Sequence, residues 1–351
     1  MKKIGILLLA VLLFVTGCGK TDKTSVINDF KSKVNKSKSY VLSGTMEIIN
    51  DEDVFKYDIE TKYLNDNQEY YKVTLVNQTN NHEQIILKNE EGVYVVTPSL
   101  NKSFKFQSNW PNNSSQSYLL ASLANDMNND ASSEFEEKDD RYIIKNKVNY
   151  PNNEELAYEK VYFDKNMNIK MVEVYNNKDV VKIKVNFTTV NMKASLDDDD
   201  FKLSDLITET KDTCATQNNC DDSNTTDEEN NKSTSSLEDI IYPLYVPQNT
   251  SLKSKDVVST EEGERVILTF GGDNSFVLVE ETANKSSEFE IIPVYGDPEL
   301  INDSIGALSA NSLSWTSNSV SYYLTGTSLA KDDLINIATS MSNVGVVNAE
   351  K

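Results

Sequence analysis

Alternation of apolar and polar positions dominates the chain from residue 39 to residue 201. Stretches rich in β-branched and aromatic residues, with partial alternation, are typical of half-buried strands. They predict about nine or ten strands, over residues 40–49, 54–63, 69–76, 83–87, 93–96, 104–106, 142–148, 159–163, 169–175 and 180–190. Because the connections are of hairpin length, we predict an antiparallel sheet and exclude a parallel sheet with crossover helices.

Two segments of the same region repeat apolar residues every three or four positions, which predicts amphipathic helices over residues 25–37 and 112–127. The first helix presents Ile27, Phe30 and Val34 on one face, and the second presents Leu120, Leu123, Ala124 and Met127. One helix therefore precedes the strands and one interrupts them.

A second folded unit is predicted after residue 240. Gly271-Gly272-Asp273-Asn274 is a strong hairpin turn between two apolar stretches. Strands are predicted over residues 265–270, 276–280, 288–295, 313–315 and 320–324, and a helix over residues 328–341. We predict a small α+β domain over residues 241–345, joined to the first domain, residues 26–205, by an acidic flexible linker at 206–240.

The N-terminus has the pattern of an export signal. Lys2 and Lys3 precede an apolar stretch over residues 4–15, which is too short to span a bilayer, and Val15-Thr16-Gly17-Cys18 follows. This ending resembles the lipobox of bacterial lipoproteins. The alternative is an ordinary signal peptide with an incidental cysteine.

The lipobox resemblance implies that residues 1–17 are removed and that Cys18 receives a diacylglyceryl group, with palmitate-like chains that anchor the protein. Residues 18–25 would be a short tether. The expected location is the extracytoplasmic face of the cell membrane.

The remaining cysteines, Cys214 and Cys220, form an even pair in that compartment. Their C-x5-C spacing favours a structural disulfide over a metal or redox pair, because no C-x-x-C motif and no second ligand pair is present.

The charge balance excludes several functions. Lys and Arg total 34 and Asp and Glu total 55, so the net charge is −21, which argues against nucleic-acid binding. Residues 197–240 hold 14 of the acids and 3 lysines, a net charge of −11, as expected for a solvated segment. His82 is the single histidine, so chemistry that needs two or more histidines is excluded within this chain.

Few residues suggest a chemical site. His82 follows Asn80-Asn81 in a predicted exposed turn, without a visible catalytic partner. The run Asp197–Asp200 lacks the glycine and the ligand spacing of a calcium loop, so we expect a solvated turn. We predict no enzyme activity, no metal and no cofactor, although a carboxylate pair for glycan hydrolysis is not excluded by the sequence.

A family resemblance is carried by residues 97–111, TPSLNKSFKFQSNWP, together with the following NNSSQSYLLASLANDM. This segment resembles the sporulation and germination lipoproteins of spore-forming bacteria, within the broader family of LolA-like lipoprotein-sorting proteins. The end of the domain, residues 186–201, is similar to the last strand and acidic turn of that family. The resemblance covers residues 26–205, and the C-terminal unit looks like a small domain of envelope lipoproteins.

The resemblance implies an α+β fold, in which a curved antiparallel half-barrel sheet carries helices on its concave face. In the sorting proteins that face accepts lipid acyl chains. A candidate apolar groove, for which packing in the core is the favoured alternative, consists of Phe104, Phe106, Trp110, Leu120, Leu123 and Met127.

The expected function is that of a membrane-anchored binding protein of sporulation or germination. Its expected partner is an envelope protein, for which the resemblance allows a cell-wall enzyme, or a lipid acyl chain. The two-domain layout also allows an envelope-stress regulator that binds an anti-sigma factor or senses lipoproteins.

Overall fold

The computed structural model describes residues 21–50, 53–206, 237, 240–260, 263–286 and 288–341. Its helices are α1 (Lys23–Lys36), α2 (Leu120–Asn129) and α3 (Lys331–Thr339), with a further helical turn at residues 203–206. Among the described residues, none of the helices combines the length and the apolar character needed to cross a bilayer.

Twelve strands form the larger sheet, in the order β15-β6-β5-β4-β3-β2-β1-β11-β10-β9-β8-β7. Their bounds are β1 (Ser39–Asn50), β2 (Asp53–Asn65), β3 (Glu69–Asn77), β4 (Glu83–Asn89), β5 (Gly92–Thr97), β6 (Lys102–Phe106), β7 (Glu134–Lys138), β8 (Arg141–Lys147), β9 (Leu156–Asp164), β10 (Ile169–Asn176), β11 (Val181–Asn191) and β15 (Glu290–Val294). The sheet is open, because its two edge strands, β15 and β7, do not pair with each other.

Seven strands form the smaller sheet, in the order β12-β13-β14-β19-β18-β17-β16. Their bounds are β12 (Thr250–Thr260), β13 (Gly263–Gly272), β14 (Phe276–Thr282), β16 (Asp297–Ile301), β17 (Ser304–Leu308), β18 (Ser312–Ser317) and β19 (Val320–Thr325). The predicted α+β class, with a large antiparallel sheet, helices on one of its faces and a second small α+β unit, is confirmed.

Helix α1 begins with a capping box. The Asp22 carboxylate accepts the backbone N–H of Ser25 at 2.8 Å, which satisfies a donor that has no partner inside the helix. The helix buries Val26, Phe30 and Val34. The predicted apolar face contained Ile27 in place of Val26, and Ile27 is only half-buried.

Helix α2 begins eight residues later than predicted. Residues 112–119 form turns instead, because Ser115 is bound on both sides by Asn149: its N–H donates to the Asn149 carbonyl, and its Oγ accepts the Asn149 N–H, each at 2.7 Å. The Gln116 N–H donates to Ser122 Oγ at 2.8 Å. These local bonds compete with the helix ladder.

The face of the larger sheet that carries α1 and α2 is here called the inner face. Side chains on alternate positions of its strands bury a continuous core with Phe30 and Leu123 of the helices. Ile305 and Ala307 of β17 belong to this same core and are each 4% exposed. The C-terminal unit therefore covers the part of the inner face that the two helices leave open.

The sequence predicted only antiparallel pairing, and one pair differs. Strand β15, from the C-terminal part of the chain, lies parallel to β6, with Ile292 opposite Phe104. The approach of this segment is fixed by the N–H of Ser286, which donates to the Leu100 carbonyl at 3.0 Å, and by Asn101 Nδ2, which donates to the Ser286 carbonyl at 2.9 Å. A pairing between distant segments leaves no local sequence pattern.

The contact between β4 and β17 provides a first test. Gln84 is 5% exposed; its Oε1 accepts the Ile305 N–H at 2.6 Å, and its Nε2 donates to the Ile305 carbonyl at 3.4 Å. Gln84→Ala leaves a buried N–H without a partner, so we expect the free energy of unfolding to fall by about 1–3 kcal/mol. Urea denaturation measures this change.

The matched control is Gln78→Ala, because Gln78 donates to Asp58 at 2.8 Å on the exposed surface. We expect this variant to stay within about 0.5 kcal/mol of wild type. Equal losses in the two variants would show that the Gln84 bonds do not hold the C-terminal unit in place.

Candidate functional site

A cavity of about 160 Å³ lies where the C-terminal unit meets the inner face of the larger sheet. Its apolar walls come from strands of that sheet and from the C-terminal unit: Ile48, Ile86, Ile183, Leu300, Ile305 and Ile335. The volume is close to that of an engineered cavity that holds one benzene molecule and is below the roughly 300–1,000 Å³ of most small-molecule pockets. It is too small for an acyl chain.

One wall of the cavity is polar and internally hydrogen-bonded. Tyr118 donates from its hydroxyl to Gln116 Oε1 at 2.6 Å. Asn152 Nδ2 donates to Glu299 Oε2 at 3.1 Å, and Lys331 Nζ donates to Asn152 Oδ1 at 3.3 Å. The two bonds of Asn152 join the 150–153 turn of the first domain to β16 and α3, whereas the Tyr118–Gln116 bond lies within the 112–119 turn.

Glu299 is the acidic group of this wall. Burial raises the pKa of its carboxyl to about 7, and the charge of Asp297 adds to the increase. The hydrogen bond from Asn152 and the charge of Lys331 act in the opposite direction. The Glu299 carboxyl therefore holds its proton to a higher pH than an exposed glutamate does.

Two further carboxyls, one buried and one half-buried, act on the cavity residue Tyr150. Glu159 of β9 is fully buried and accepts Asn146 Nδ2 at 3.0 Å, and Asp126 belongs to α2. Burial raises the pKa of Glu159 to about 8 and that of Asp126 to about 6; the charge of Asp126 contributes to the pKa of Glu159. Both raise the pKa of Tyr150, which lines the cavity, although burial of that phenol is the larger cause.

Near pH 7, Glu159 is therefore mostly a neutral carboxylic acid, Glu299 is about half protonated, and Asp126 is mostly ionised. Neutral carboxyls, amides and phenols can donate and accept hydrogen bonds within a small space. They do not by themselves provide a nucleophile with an activating base. The arrangement is suited to binding a small polar group or ordered water.

His82 lies in the contact between the two units. The predicted turn is present between β3 and β4, but the prediction that the histidine is exposed is wrong, because the side chain is half-buried. Burial lowers the pKa of His82, and the charge of Asp303 opposes that effect. Asp303 lies in the turn between β16 and β17, so the C-terminal unit acts electrostatically on His82, which local sequence could not indicate.

The six residues of the candidate apolar groove lie in the core of the larger sheet. Five are between 0 and 4% exposed, and Phe104 is half-buried. Trp110 packs edge-to-face against Tyr71, with ring centroids 5.9 Å apart. The six residues are Phe104, Phe106, Trp110, Leu120, Leu123 and Met127, and none of them lines the cavity.

The other predicted sites are only partly within the described residues. Cys18, Cys214, Cys220 and most of the 206–240 segment lie outside them. Asp197 begins a short 3-10 helix over Asp198–Phe201 and accepts the N–H of Asp199 at 3.1 Å, and Asp200 accepts the N–H of Asp197 at 3.0 Å. These exposed carboxylates cap a turn, in agreement with the prediction of a solvated turn.

Sequence analysis missed the buried carboxyls. A usable signal was present, because Glu159 shares its strand face with Val161 and Phe163, and its partner Asn146 shares a face with Ile144. Polar residues at core positions of two paired strands indicate a buried polar contact. Asp126 carries no such signal, since it lies beside Met127 in a helix with many polar residues.

Comparison with known proteins gives one extensive match. The chain is 33% identical over 335 residues to the sporulation protein YdcC of Bacillus subtilis, covering 95% of this chain and 94% of that protein. No protein-family model matches the chain.

Solved structures give more distant matches. A chain of the Pseudomonas aeruginosa MucA/MucB complex is 10% identical with a TM-score of 0.32, over 91% of this chain and 97% of that chain. A putative lipoprotein-sorting domain from Vibrio parahaemolyticus is 11% identical with a TM-score of 0.29, over 52% and 97%. A chain of the CwlD amidase–GerS lipoprotein complex from Clostridioides difficile is 11% identical with a TM-score of 0.29, over 49% and 97%.

The protonation of Glu159 gives a prediction about pH. Its pKa is raised from 4.5 to about 8, so the folded chain retains a proton that the unfolded chain releases above about pH 4.5. The stabilisation is therefore complete below about pH 4.5 and is lost as the pH rises towards 8. In the wild type, this proton should lower the free energy of unfolding by on the order of 3 kcal/mol between pH 5 and pH 8, at about 1.4 kcal/mol per pKa unit. We expect Glu159→Gln to lack this decrease, because its amide does not titrate.

Denaturation at the two pH values measures this difference in the wild type, in Glu159→Gln and in Glu155→Gln, which changes an exposed glutamate. The Glu155 variant should keep the wild-type pH dependence. An unchanged pH dependence in Glu159→Gln would mean that Glu159 is ionised in the folded protein.

Proposed function

Since the chain belongs to the family of the sporulation protein YdcC, we propose that it is a membrane-anchored binding protein of the cell or spore envelope that docks a protein partner during sporulation or germination. The proposal concerns binding and not catalysis. It also includes the lipid anchor on Cys18 and a disulfide between Cys214 and Cys220.

The observation that carries this proposal is the filled inner face. A lipid-carrying sheet needs an apolar cavity large enough for an acyl chain. Here α1, α2 and the β16–β17 hairpin cover that face, and Ile305 and Ala307 are buried in the core beneath them. The remaining cavity of about 160 Å³ is partly polar, which favours a partner that binds an outer surface over a lipid inside the sheet.

The proposed location depends on the N-terminal motif. A diacylglyceryl group provides two acyl chains, and two chains give stable anchoring where one gives only marginal binding. The folded part would then remain on the extracytoplasmic side. The predicted tether over residues 18–25 is shorter in the structure, because α1 begins at Lys23.

Replacement of the anchor residue tests this location and role together. In the native host, we expect Cys18→Ala to move the protein from the membrane fraction to the soluble fraction, because no thiol is available for lipid attachment. We expect the same strain, and a deletion strain, to form or germinate spores poorly. Fractionation and counts of heat-resistant, germinating spores provide the measurements.

Cys214→Ala is the control, since it removes a cysteine but leaves the anchor in place, and its product should remain in the membrane fraction. Normal spores in the deletion strain would contradict the proposed role. If the deletion strain formed normal spores but its envelope-stress response changed, the protein would be better described as an envelope-stress regulator.

A variant that fills the cavity separates partner docking from ligand binding. Ile183 is half-buried and lines the cavity, so Ile183→Phe should occupy part of its volume. We expect sporulation and capture of the partner to be unchanged, because docking does not use the cavity. Ile267→Phe, at a half-buried position of β13 outside the cavity lining, controls for overpacking.

Loss of function in Ile183→Phe, with normal function in Ile267→Phe and similar thermal stability of both, would show that an essential ligand occupies the cavity. That result would overturn docking by an outer surface.

A further inference from the structure

One half of the larger sheet has an outer face that no other element of the described residues covers. Along β8 to β11, most residues on the inner face are buried, whereas those on the opposite face are half-buried or exposed. The aromatic and aliphatic members of this outer face, Ile143, Tyr158, Tyr162, Met171 and Tyr175, belong to none of the hydrophobic clusters of the described chain. We call it the β8–β11 outer face.

Tyrosine and lysine side chains are ordered on this face by mutual contacts. The rings of Tyr158 and Tyr175 stack at a centroid distance of 4.8 Å and an interplanar angle of 7°. Lys145 Nζ lies 4.7 Å from the centroid of Tyr158, and Lys160 Nζ lies 5.0 Å from that of Tyr175. The ammonium groups are thus held along the sheet surface by cation–π contacts.

The face is positively charged although the protein is acidic. The outward positions of β8 to β11 carry five basic residues, Arg141, Lys145, Lys147, Lys160 and Lys184, and two acidic ones, Asp164 and Glu173, a net charge of 5 − 2 = +3. The adjoining edge strand β7 adds Lys138, Glu134 and Glu136 on the same face, which lowers the net charge to 6 − 4 = +2, and Lys145 Nζ lies 3.3 Å from Glu134 Oε1.

The Glu173 carboxylate is held between two tyrosines of this face, because its Oε2 accepts hydrogen bonds from the hydroxyls of Tyr162 and Tyr175, each at 2.7 Å. Lys184 Nζ lies 3.7 Å from its Oε1. The Glu173 side chain is only 13% exposed, so its charge is presented weakly to solvent.

The net charge of −21 does not cancel this local charge. Exposed charges farther apart than about 8 Å are largely screened at physiological salt. The acidic Asp197–Asp200 turn lies over β3 and β4, whereas β10 is four strand positions from β3, or about 19 Å at about 4.8 Å per strand. The β8–β11 outer face is therefore electrostatically separate from the acidic turn.

The chain enters the fold at the end of β8, on the side of the sheet opposite this face. Thr21, the first described residue, has its Oγ1 3.2 Å from the hydroxyl of Tyr142, which lies in β8 between Arg141 and Ile143. Lys23 Nζ donates to the Ser133 carbonyl at 2.8 Å and fixes the next turn of chain. Only two residues, Gly19 and Lys20, separate Cys18 from Thr21, so the Cα atoms of Cys18 and Thr21 are at most about 10 Å apart.

We propose that the β8–β11 outer face docks on the anionic phospholipid surface of the membrane to which Cys18 anchors the chain. The proposal rests on the proposed lipid anchor, because an anchored Cys18 holds Thr21, whose side chain contacts Tyr142 at the start of β8, within about 10 Å of the lipidated residue. Lysines are attracted to anionic headgroups, and tyrosines combine an apolar ring with a polar hydroxyl suited to the interface. Docking orients the C-terminal unit and leaves other surfaces available to a protein partner.

Vesicle binding tests the proposal with the mature chain carrying Cys18→Ser, so that no acyl chain contributes. We expect co-sedimentation with vesicles rich in phosphatidylglycerol, weakening at higher salt, and none with pure phosphatidylcholine. The triple variant Lys147→Gln/Lys160→Gln/Lys184→Gln should bind about 100-fold more weakly, at about fivefold for each lysine near the surface.

The matched control, Lys253→Gln/Lys255→Gln/Lys285→Gln, removes the same charge from the C-terminal unit and should bind as wild type does. Thermal unfolding checks that both triple variants are folded. Equal losses in the two variants, binding to phosphatidylcholine as strong as to phosphatidylglycerol, or no vesicle binding at low salt would overturn the proposal. Those results leave membrane fractionation through Cys18 and the spore phenotype unaffected, so failure of this inference is distinguishable from failure of the proposed function.

Discussion

The burial of Ile305 and Ala307 against the larger sheet is the contact on which the architecture depends. A sheet of twelve strands presents more apolar surface than α1 and α2 can cover, and an uncovered apolar face is unstable in water. The β16–β17 hairpin supplies the missing layer. The C-terminal unit therefore contributes buried residues to the core of the first domain. Strand β15 strengthens this connection by pairing with β6.

This contact also explains the polar groups that are buried with it. Backbone and side-chain groups brought together at the junction must form hydrogen bonds, as Gln84 does with Ile305 and Tyr57 does with Asn302. Where packing is incomplete, a small cavity remains, and the Glu299 carboxyl beside it keeps its proton because burial disfavours the charged form. The junction is specific in geometry but offers little volume to a ligand.

The two faces of the larger sheet consequently differ in function. The inner face is used for stability, whereas the β8–β11 outer face has ordered tyrosines and lysines with nothing of the described chain packed on them. For a family whose named relative acts in sporulation, binding through outer surfaces agrees with an interior that is already filled.

Sequence alone determined the elements that depend on local pattern: the strands from β1 to β6 and from β8 to β11, the hairpin at Gly271-Gly272, helix α1 and the family. Strand β7, with the exposed sequence EFEEK, and strands β12, β16 and β17 were missed, because exposed or short strands have no clear alternation. Tertiary structure alone decided the parallel β15–β6 pair, the half-burial of His82 and the neighbours of Glu159. Each of these depends on contacts between residues far apart in the chain, and such contacts are selected by the burial of whole surfaces and not by neighbouring residues.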